Sequence, residues 1–334
     1  MCSREDWHWT YGTAGRDHGR MRLPVFDDVL AARDLLSSRL PATPMWSYPV
    51  LDEAAGTPVF VKHENVQPTG AFKVRGGLTL LASMTPEQRR RGLVTYSTGN
   101  HAQSIAYACA EYDAPCTVVM PESASEEKIR ATRGFGARVL LRGADMAGAQ
   151  QAAEELAGEF LVVSPGDTPE LLAGVGTAYL EIFEARADLD AVVVPVGSGT
   201  GAAAACLVAA ALAPRCRVIA VQSAASPAAH DSWVAGDTVV RPNRTVVEGL
   251  ATGRGFDLPQ QVLRKHLAEF RLVSDEQIRA AQRVLATHAH TLAEGAGAAA
   301  LAAVLAAPDD FAGQRVAVVC TGGNAPKFEI ADLA

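Results

Sequence analysis

The chain has 334 residues, more than one hydrophobic core usually holds, so two domains are expected. Its 30 basic and 37 acidic side chains leave a net charge of −7, which excludes the basic footprint of a binder of nucleic acid or anionic membrane. The six cysteines form no CxxC pair, which speaks against a metal site and reads as reduced thiols in a cytoplasmic protein.

Residues 1–25 are polar and charged, with no apolar run, and read as a loosely ordered leader without a signal peptide. Val59–Lys62 is β-like. It leads into Gln67-Pro-Thr-Gly-Ala-Phe-Lys73-Val-Arg-Gly-Gly77, where a lone lysine stands at a helix start. Phe72 and Val74 supply an apolar wall that would lower the pKa of the Lys73 amine and free it to form a Schiff base. Gly76 and Gly77 are expected to let the backbone approach a planar ligand closely. Arg89-Arg90-Arg91 reads as a solvated helix end.

Strands Val94–Ser97, Cys116–Met120, Arg138–Leu141 and Phe160–Val163 alternate with helices Ala102–Tyr112, Ser125–Phe135 and Met146–Leu156. Short apolar strands with helices between them predict a parallel sheet. At the first strand-to-helix junction stands Ser97-Thr-Gly-Asn-His101-Ala-Gln103. Free amides at a helix start favour an anion, and hydroxyls and side-chain amides add neutral donors, so this turn suits a carboxylate.

A second alternation follows. Helix Pro169–Ala187, strand Ala191–Val196, helix Ala202–Ala213 and strand Arg217–Gln222 precede a loop-rich stretch, Ser223–Leu272. Helices Asp275–His290 and Glu294–Leu305 and strand Arg315–Cys320 close the pattern. The apolar run Ala202–Ala213 is too short to span a bilayer and fits a buried helix. Gly197-Ser198-Gly199-Thr200-Gly201, between strand and helix, can cradle a phosphate on backbone amides and two hydroxyls. The dinucleotide fingerprint wants an acid about 20 residues on, and Gln222 and Ser223 stand there instead. Cys320-Thr321-Gly-Gly-Asn324 places a hydroxyl at the C-terminal end of the last strand. Two α/β units imply a cleft between them, where cofactor sites usually lie.

These four motifs, in this order, resemble the threonine dehydratase and serine racemase group of fold type II pyridoxal-phosphate enzymes, over about Pro41 to Pro326. The resemblance implies a tryptophan synthase β-like α/β fold: a large domain from residues 26–88 and 166–334, a small domain from 89–165, and pyridoxal 5′-phosphate in the cleft. It implies that Lys73 is the Schiff-base lysine and that Asn100 contacts the ring oxygen. Phe72, Glu294 and Gly249 are expected beside the cofactor, and Gly197, Ser198, Gly199, Thr200 and Gly201 around its phosphate. Thr321 is expected at the pyridine nitrogen. Ser97, Thr98, Gly99, Asn100, His101 and Gln103 are expected to bind substrate. Thr98, where racemase-like relatives carry a serine, is a candidate catalytic hydroxyl.

The implied activity is dehydration and deamination of a β-hydroxy-α-amino acid such as L-threonine or L-serine, by a homodimer. β-Replacement, racemisation and a non-catalytic amino-acid sensor remain alternatives. Trp233 and Arg254 are candidates for the substrate mouth. Some relatives bind a divalent cation just after the strand ending at Gln222. The stretch Gln222–Ala229 carries no acid, so no metal is expected there. No regulatory C-terminal domain is expected. The wording of STGNHAQ, GSGTGAAAA and VEGLATGRGF is similar to bacterial catabolic dehydratases, some of which accompany hydroxyectoine breakdown.

Overall fold

A computed structural model describes residues 22–333 of the chain, so positions 1–21 of the expected leader lie outside the described residues. Helix α1 (Phe26–Leu36) precedes strand β1 (Met45–Ser47), α2 (Pro49–Ala55) and β2 (Val59–His63). Helices α3 (Lys73–Ser83) and α4 (Pro86–Arg91) lead to a second sheet. There β3 (Leu93–Tyr96), β4 (Cys116–Met120), β5 (Arg138–Leu141) and β6 (Leu161–Val163) alternate with α5 (Asn100–Glu111), α6 (Glu126–Gly134) and α7 (Met146–Glu154). Helix α8 (Pro169–Ala185) returns to the first sheet. It is followed by β7 (Ala191–Pro195), α9 (Thr200–Leu212), β8 (Arg217–Ser223), α10 (Ala228–Ala235), α11 (Asp257–His266) and β9 (Glu269–Val273). Helices α12 (Asp275–His288) and α13 (Gly295–Ala306), strand β10 (Val316–Cys320) and α14 (Lys327–Ala331) complete the order.

The larger sheet runs β1-β2-β10-β7-β8-β9, parallel throughout except for β1 against β2. The smaller, β5-β4-β3-β6, is fully parallel. The valine runs of β7 and β10 are buried on both faces, as a covered parallel sheet requires. Val192 and Val194 of β7 join the core under α8 and α9, whereas Val193 joins the core under α12 and α13, so the period of two divides one strand between two layers. Among the described residues no helix is long and apolar enough to cross a membrane.

Strand order does the work of assembly. The last strand, β10, lies between β2 and β7, with Cys320 opposite His63 and Val318 opposite Val193. Three segments from distant parts of the chain therefore leave adjacent parallel strands at the same end, where open α/β sheets hold ligands.

The expectation of a loop-rich stretch from Ser223 to Leu272 is corrected. It contains α10, α11 and most of β9. Leu258, Val262 and Leu263 form the buried stripe of α11. Pro259 sits in that helix's first turn, where a missing N–H costs nothing, so it is no breaker. Strand β9 alternates polar Glu269 and Arg271 with Phe270 and pairs along β8. Arg89, Arg90 and Arg91 do end a helix, but Arg89 donates to Leu81 O at 2.8 Å and Ala82 O at 3.0 Å, so it caps its neighbour.

Candidate active site

The first and fourth motifs are zipped together by main-chain hydrogen bonds. Phe72 N donates to Thr321 O at 2.9 Å, Gly323 N to Gly70 O at 2.9 Å, and Ala71 bridges Gly322. This places Lys73, the first residue of α3, beside the turn that follows β10. Gly70 has φ +68°, the left-handed region that favours glycine.

Lys73 Nζ donates to Ser198 Oγ at 3.0 Å and Thr200 Oγ1 at 2.8 Å, so the structure brings the lysine to the Gly197–Gly201 loop. Burial, with no carboxylate beside it to compensate, lowers the Lys73 amine from 10.5 to about 8. The Phe72 ring lies 5.3 Å from Nζ and faces Gly201, while Val74 packs into the core between α3 and α5. The loop itself is shaped by close approaches. A Cβ on Gly197 would lie 2.1 Å from Gly249 O, and Gly199 has φ +91°. Helix α9 begins at Thr200, and the first amides of a helix have no acceptor within it. The loop thus offers hydroxyls and amides to an anion.

Gly76 and Gly77 serve neighbours other than a ligand. A Cβ on Gly76 would meet Leu171 O of α8 at 2.9 Å, and one on Gly77 would meet Ser104 Oγ of α5 at 2.5 Å. The expected close approach is real, but its partners are helices. Ser104, one turn after Asn100, donates its hydroxyl to Lys73 O at 2.6 Å. That contact was legible only as a polar residue on the Asn100 face of α5.

Ser97, Thr98 and Gly99 form the turn between β3 and α5, half-buried, with Gly99 N donating to Ser97 Oγ at 3.2 Å. Asn100 opens α5 and donates from Nδ2 to Glu294 Oε1 at 2.6 Å. Glu294 stands just ahead of α13. Burial raises its carboxyl to about 7, against the Asn100 hydrogen bond, with Glu329 and Glu248 pushing the same way as burial. A Cβ on Gly322 would lie 2.3 Å from Glu294 Oε1, so the carboxyl sits against the residue after Thr321. Gln103 is half-buried one turn into α5.

His101 is turned away from the others. Its Nε2 lies 2.8 Å from Thr95 Oγ1, which gives its own proton to Val163 O at 2.7 Å. Nε2 must therefore carry the hydrogen. Burial first, then the charge of Lys73, lowers the imidazole to about 3, so it is neutral. Trp233 also lies away from the cleft, donating to Leu263 O at 3.3 Å and packing on Phe270. Arg254 stacks over Phe256 with its guanidinium 4.0 Å from Asp167. Glu248 pairs with Lys128 of α6 across the two sheets at 2.5 Å.

Three residues without an expected role take part. Thr252 donates to Gly197 O at 3.3 Å and accepts from Gln222 Nε2 at 3.2 Å. Gln222 Oε1 receives the amides of Ala229 and His230, each at 3.1 Å. Asn324 Nδ2 donates to Thr69 O and to Asn100 Oδ1, both at 2.8 Å. Among the described residues no cluster of His, Cys, Asp or Glu is arranged to hold a metal ion.

A family model described as pyridoxal-phosphate dependent enzyme matches residues 36–322. The chain is 30% identical over 316 residues to an L-threo-3-hydroxyaspartate ammonia-lyase of Saccharomyces cerevisiae, covering 94% of this chain and 97% of that one. It is 37% identical over 304 residues to an L-threonine ammonia-lyase of Thermotoga maritima, covering 90% and 75%. Among solved structures, serine racemase from Dictyostelium discoideum superposes with a TM-score of 0.85 at 28% identity, over 90% of this chain and 99% of that one. A threonine deaminase from T.th. does so with a TM-score of 0.85 at 32% identity, over 91% and 99%.

Proposed function

Since the chain belongs to the pyridoxal-phosphate dependent enzyme family, we propose that it is an ammonia-lyase that eliminates water from a β-hydroxy-α-amino acid and yields a 2-oxo acid and ammonia. L-Threonine, L-serine and threo-3-hydroxyaspartate are the candidate substrates, the first and last being those of similar enzymes. The observation that carries the reading is one half-buried lysine, lowered to about 8, whose amine touches both hydroxyls of a phosphate-type loop.

The residues fit the cofactor. Gly197 lies so close to Gly249 that no side chain fits there, and the loop beyond it turns free amides and two hydroxyls inward. Ser198, Thr200 and the amides of Gly197–Gly201 would hold the phosphate. Asn100, Glu294 and Thr321 would border the ring, and Phe72 would support Lys73. When bound, the cofactor supplies an electron sink for charge developing at the substrate Cα.

The chain's own groups supply the rest. The turn Ser97–Asn100 and the first amides of α5 bind the substrate carboxylate. Lys73 takes the Cα proton, a step that needs an amine able to lose its own proton near neutral pH, and burial brings its value down toward that range. A proton must also reach the departing β-hydroxyl. The Lys73 ammonium formed in the first step and the hydroxyls of Ser198 and Thr200 are the donors at hand. Thr98 lies on the same turn, a hydroxyl without charge. His101 is neutral and engaged with Thr95, so we assign it to holding the turn on β3.

We divide the chain into a large domain, 26–88 with 166–334, and a small domain, 89–165, working as a cytoplasmic homodimer; native mass measurement tests the dimer. The test of function is 2-oxo acid release from L-threonine, L-serine, threo-3-hydroxyaspartate and their D-enantiomers, with Lys73→Ala as control. Release by the wild type, together with loss of both turnover and visible cofactor absorbance in Lys73→Ala, is expected. Turnover retained without the lysine would refute its assignment.

A further inference from the structure

Asn100 reaches Glu294 through an amide, and an amide has two faces. One presents N–H, the other C=O, and only N–H can support an anionic ring oxygen. What decides the orientation is not Glu294. A carboxyl held at about 7 carries a proton part of the time near neutrality, so it can donate to a carbonyl as readily as accept from an N–H.

The decision comes from the other end. Thr69 O is a main-chain carbonyl and can only accept. Asn324 must therefore turn Nδ2 toward it, at 2.8 Å. The same nitrogen carries a second hydrogen, which goes to Asn100 Oδ1, also at 2.8 Å. With its carbonyl taken, Asn100 must turn Nδ2 away, toward Glu294 Oε1 at 2.6 Å. One N–H of Asn100 is then left for the cleft. Asn324 Oδ1 has room only because residue 70 is glycine: a Cβ there would lie 2.4 Å from it. Three residues from distant parts of the chain, Thr69, Asn324 and Asn100, thus form a one-way path from a carbonyl to the ring, with Glu294 taking the other N–H of Asn100.

We propose that Asn324 is a positioning residue that sets the polarity of the Asn100 amide, so that N–H and not C=O faces the cofactor's ring oxygen. The proposal rests on the placement of pyridoxal phosphate in this site. It gives the Cys320–Asn324 turn a second task beside Thr321, and it gives Gly70 a task beyond its backbone angle.

Asn324→Asp tests it, because the carboxylate is isosteric and has no N–H to give. Asn100 Nδ2 would swing to the introduced carboxylate and turn its carbonyl toward the ring. The visible absorbance band of the holoenzyme should shift, and cofactor retention should weaken about tenfold, the scale of one hydrogen bond gained or lost. Asn324→Ala, which leaves the amide unset, should fall between. In an Asn100→Ala background, Asn324→Asp should change neither the band nor retention further. An unshifted band in Asn324→Asp would overturn the proposal, as would a full additional effect in the Asn100→Ala background, which would mean that Asn324 acts independently. Melting of the apoenzyme variants separates a general loss of stability from the spectral effect. No substrate is present in these measurements, so a chain that binds cofactor but eliminates nothing would leave the test intact.

Discussion

Arg75, two residues after Lys73, is the most demanding group in the interior, and removing it should be costly. All five of its N–H donors are used. Nε and Nη2 reach Glu64 at 2.8 Å each, Nη1 and Nη2 reach Glu181 at 2.7 and 2.9 Å, and Nη1 also reaches Thr177 at 3.0 Å. Lys62 Nζ pairs with Glu181 at 2.5 Å, so two carboxylates face two cations with no net charge. Arg75→Met leaves Glu64, which is fully buried, with only Thr43 and Gln67 as side-chain partners. Breaking a buried pair from one side costs about 3–5 kcal/mol. At about 1.4 °C per kcal/mol for a chain of 334 residues, the melting temperature should fall by roughly 4–7 °C. Glu64→Gln added to Arg75→Met restores neutrality and keeps an acceptor for Thr43, so about half of the loss should return. Urea unfolding and calorimetry would read both. A single variant that melts within about 1 °C of wild type, or a double variant weaker than the single, would refute the account of a charge-balanced cluster. The helix start itself has no side-chain cap, so this grip joins the Phe72–Thr321 main-chain bond and the Ser104 hydroxyl on Lys73 O in fastening the first turn that bears Lys73.

The site itself yields two more expectations. Gly197→Ala would place a Cβ 2.1 Å from Gly249 O, a main-chain atom that cannot swing aside, so the phosphate loop must move; cofactor affinity, titrated by absorbance, should fall about tenfold or more. Unchanged affinity would show that the loop does not hold the phosphate. Glu294 gives a pH dependence. Its folded value of about 7 exceeds the ordinary 4.5, so the folded apoenzyme keeps a proton that the unfolded chain releases. Stability should therefore decline as pH rises from about 4.5 to 7, by on the order of 3 kcal/mol, and Glu294→Gln should remove that decline. His101, lowered to about 3, works in the opposite sense below 6.5, so denaturation curves for the variant should keep the acid-side loss.

The four motifs were legible because each is local chemistry: a lysine between apolar residues, a hydroxyl-rich helix start, a glycine loop and a hydroxyl at a strand end. Their meeting was legible only in outline. Nothing in residues 59–77 or 316–324 says that β10 inserts beside β2, yet that insertion brings Thr321 to Phe72. Gly76 and Gly77 show the same limit. Their small size was read as room for a ligand, whereas α5 and α8 claim the space, because helix packing depends on elements far along the chain. Residues such as Thr252 and Asn324 act through single hydrogen bonds to loops, which leave no periodic trace. Helix α11 was hidden by Pro259 and by its charged last turn, Arg264-Lys265-His266.

These arrangements separate charge from reactivity. The charged side chains of the α3 region are gathered beneath the helix, where Arg75, Lys62, Glu64 and Glu181 cancel one another. Above it, the groups that touch Lys73 Nζ are the neutral hydroxyls of Ser198 and Thr200, while elsewhere in the site the His101 imidazole is lowered to about 3 and the Glu294 carboxyl is raised to about 7. A full carboxylate beside Nζ would favour the ammonium and raise its pKa. Its absence leaves burial as the one influence on the amine, which is why the lysine falls to about 8. A base that must give up its proton near neutrality needs this segregation, and Arg75, whose side chain belongs to the lower cluster and whose backbone belongs to the same turn as Lys73, is the residue that joins the two layers.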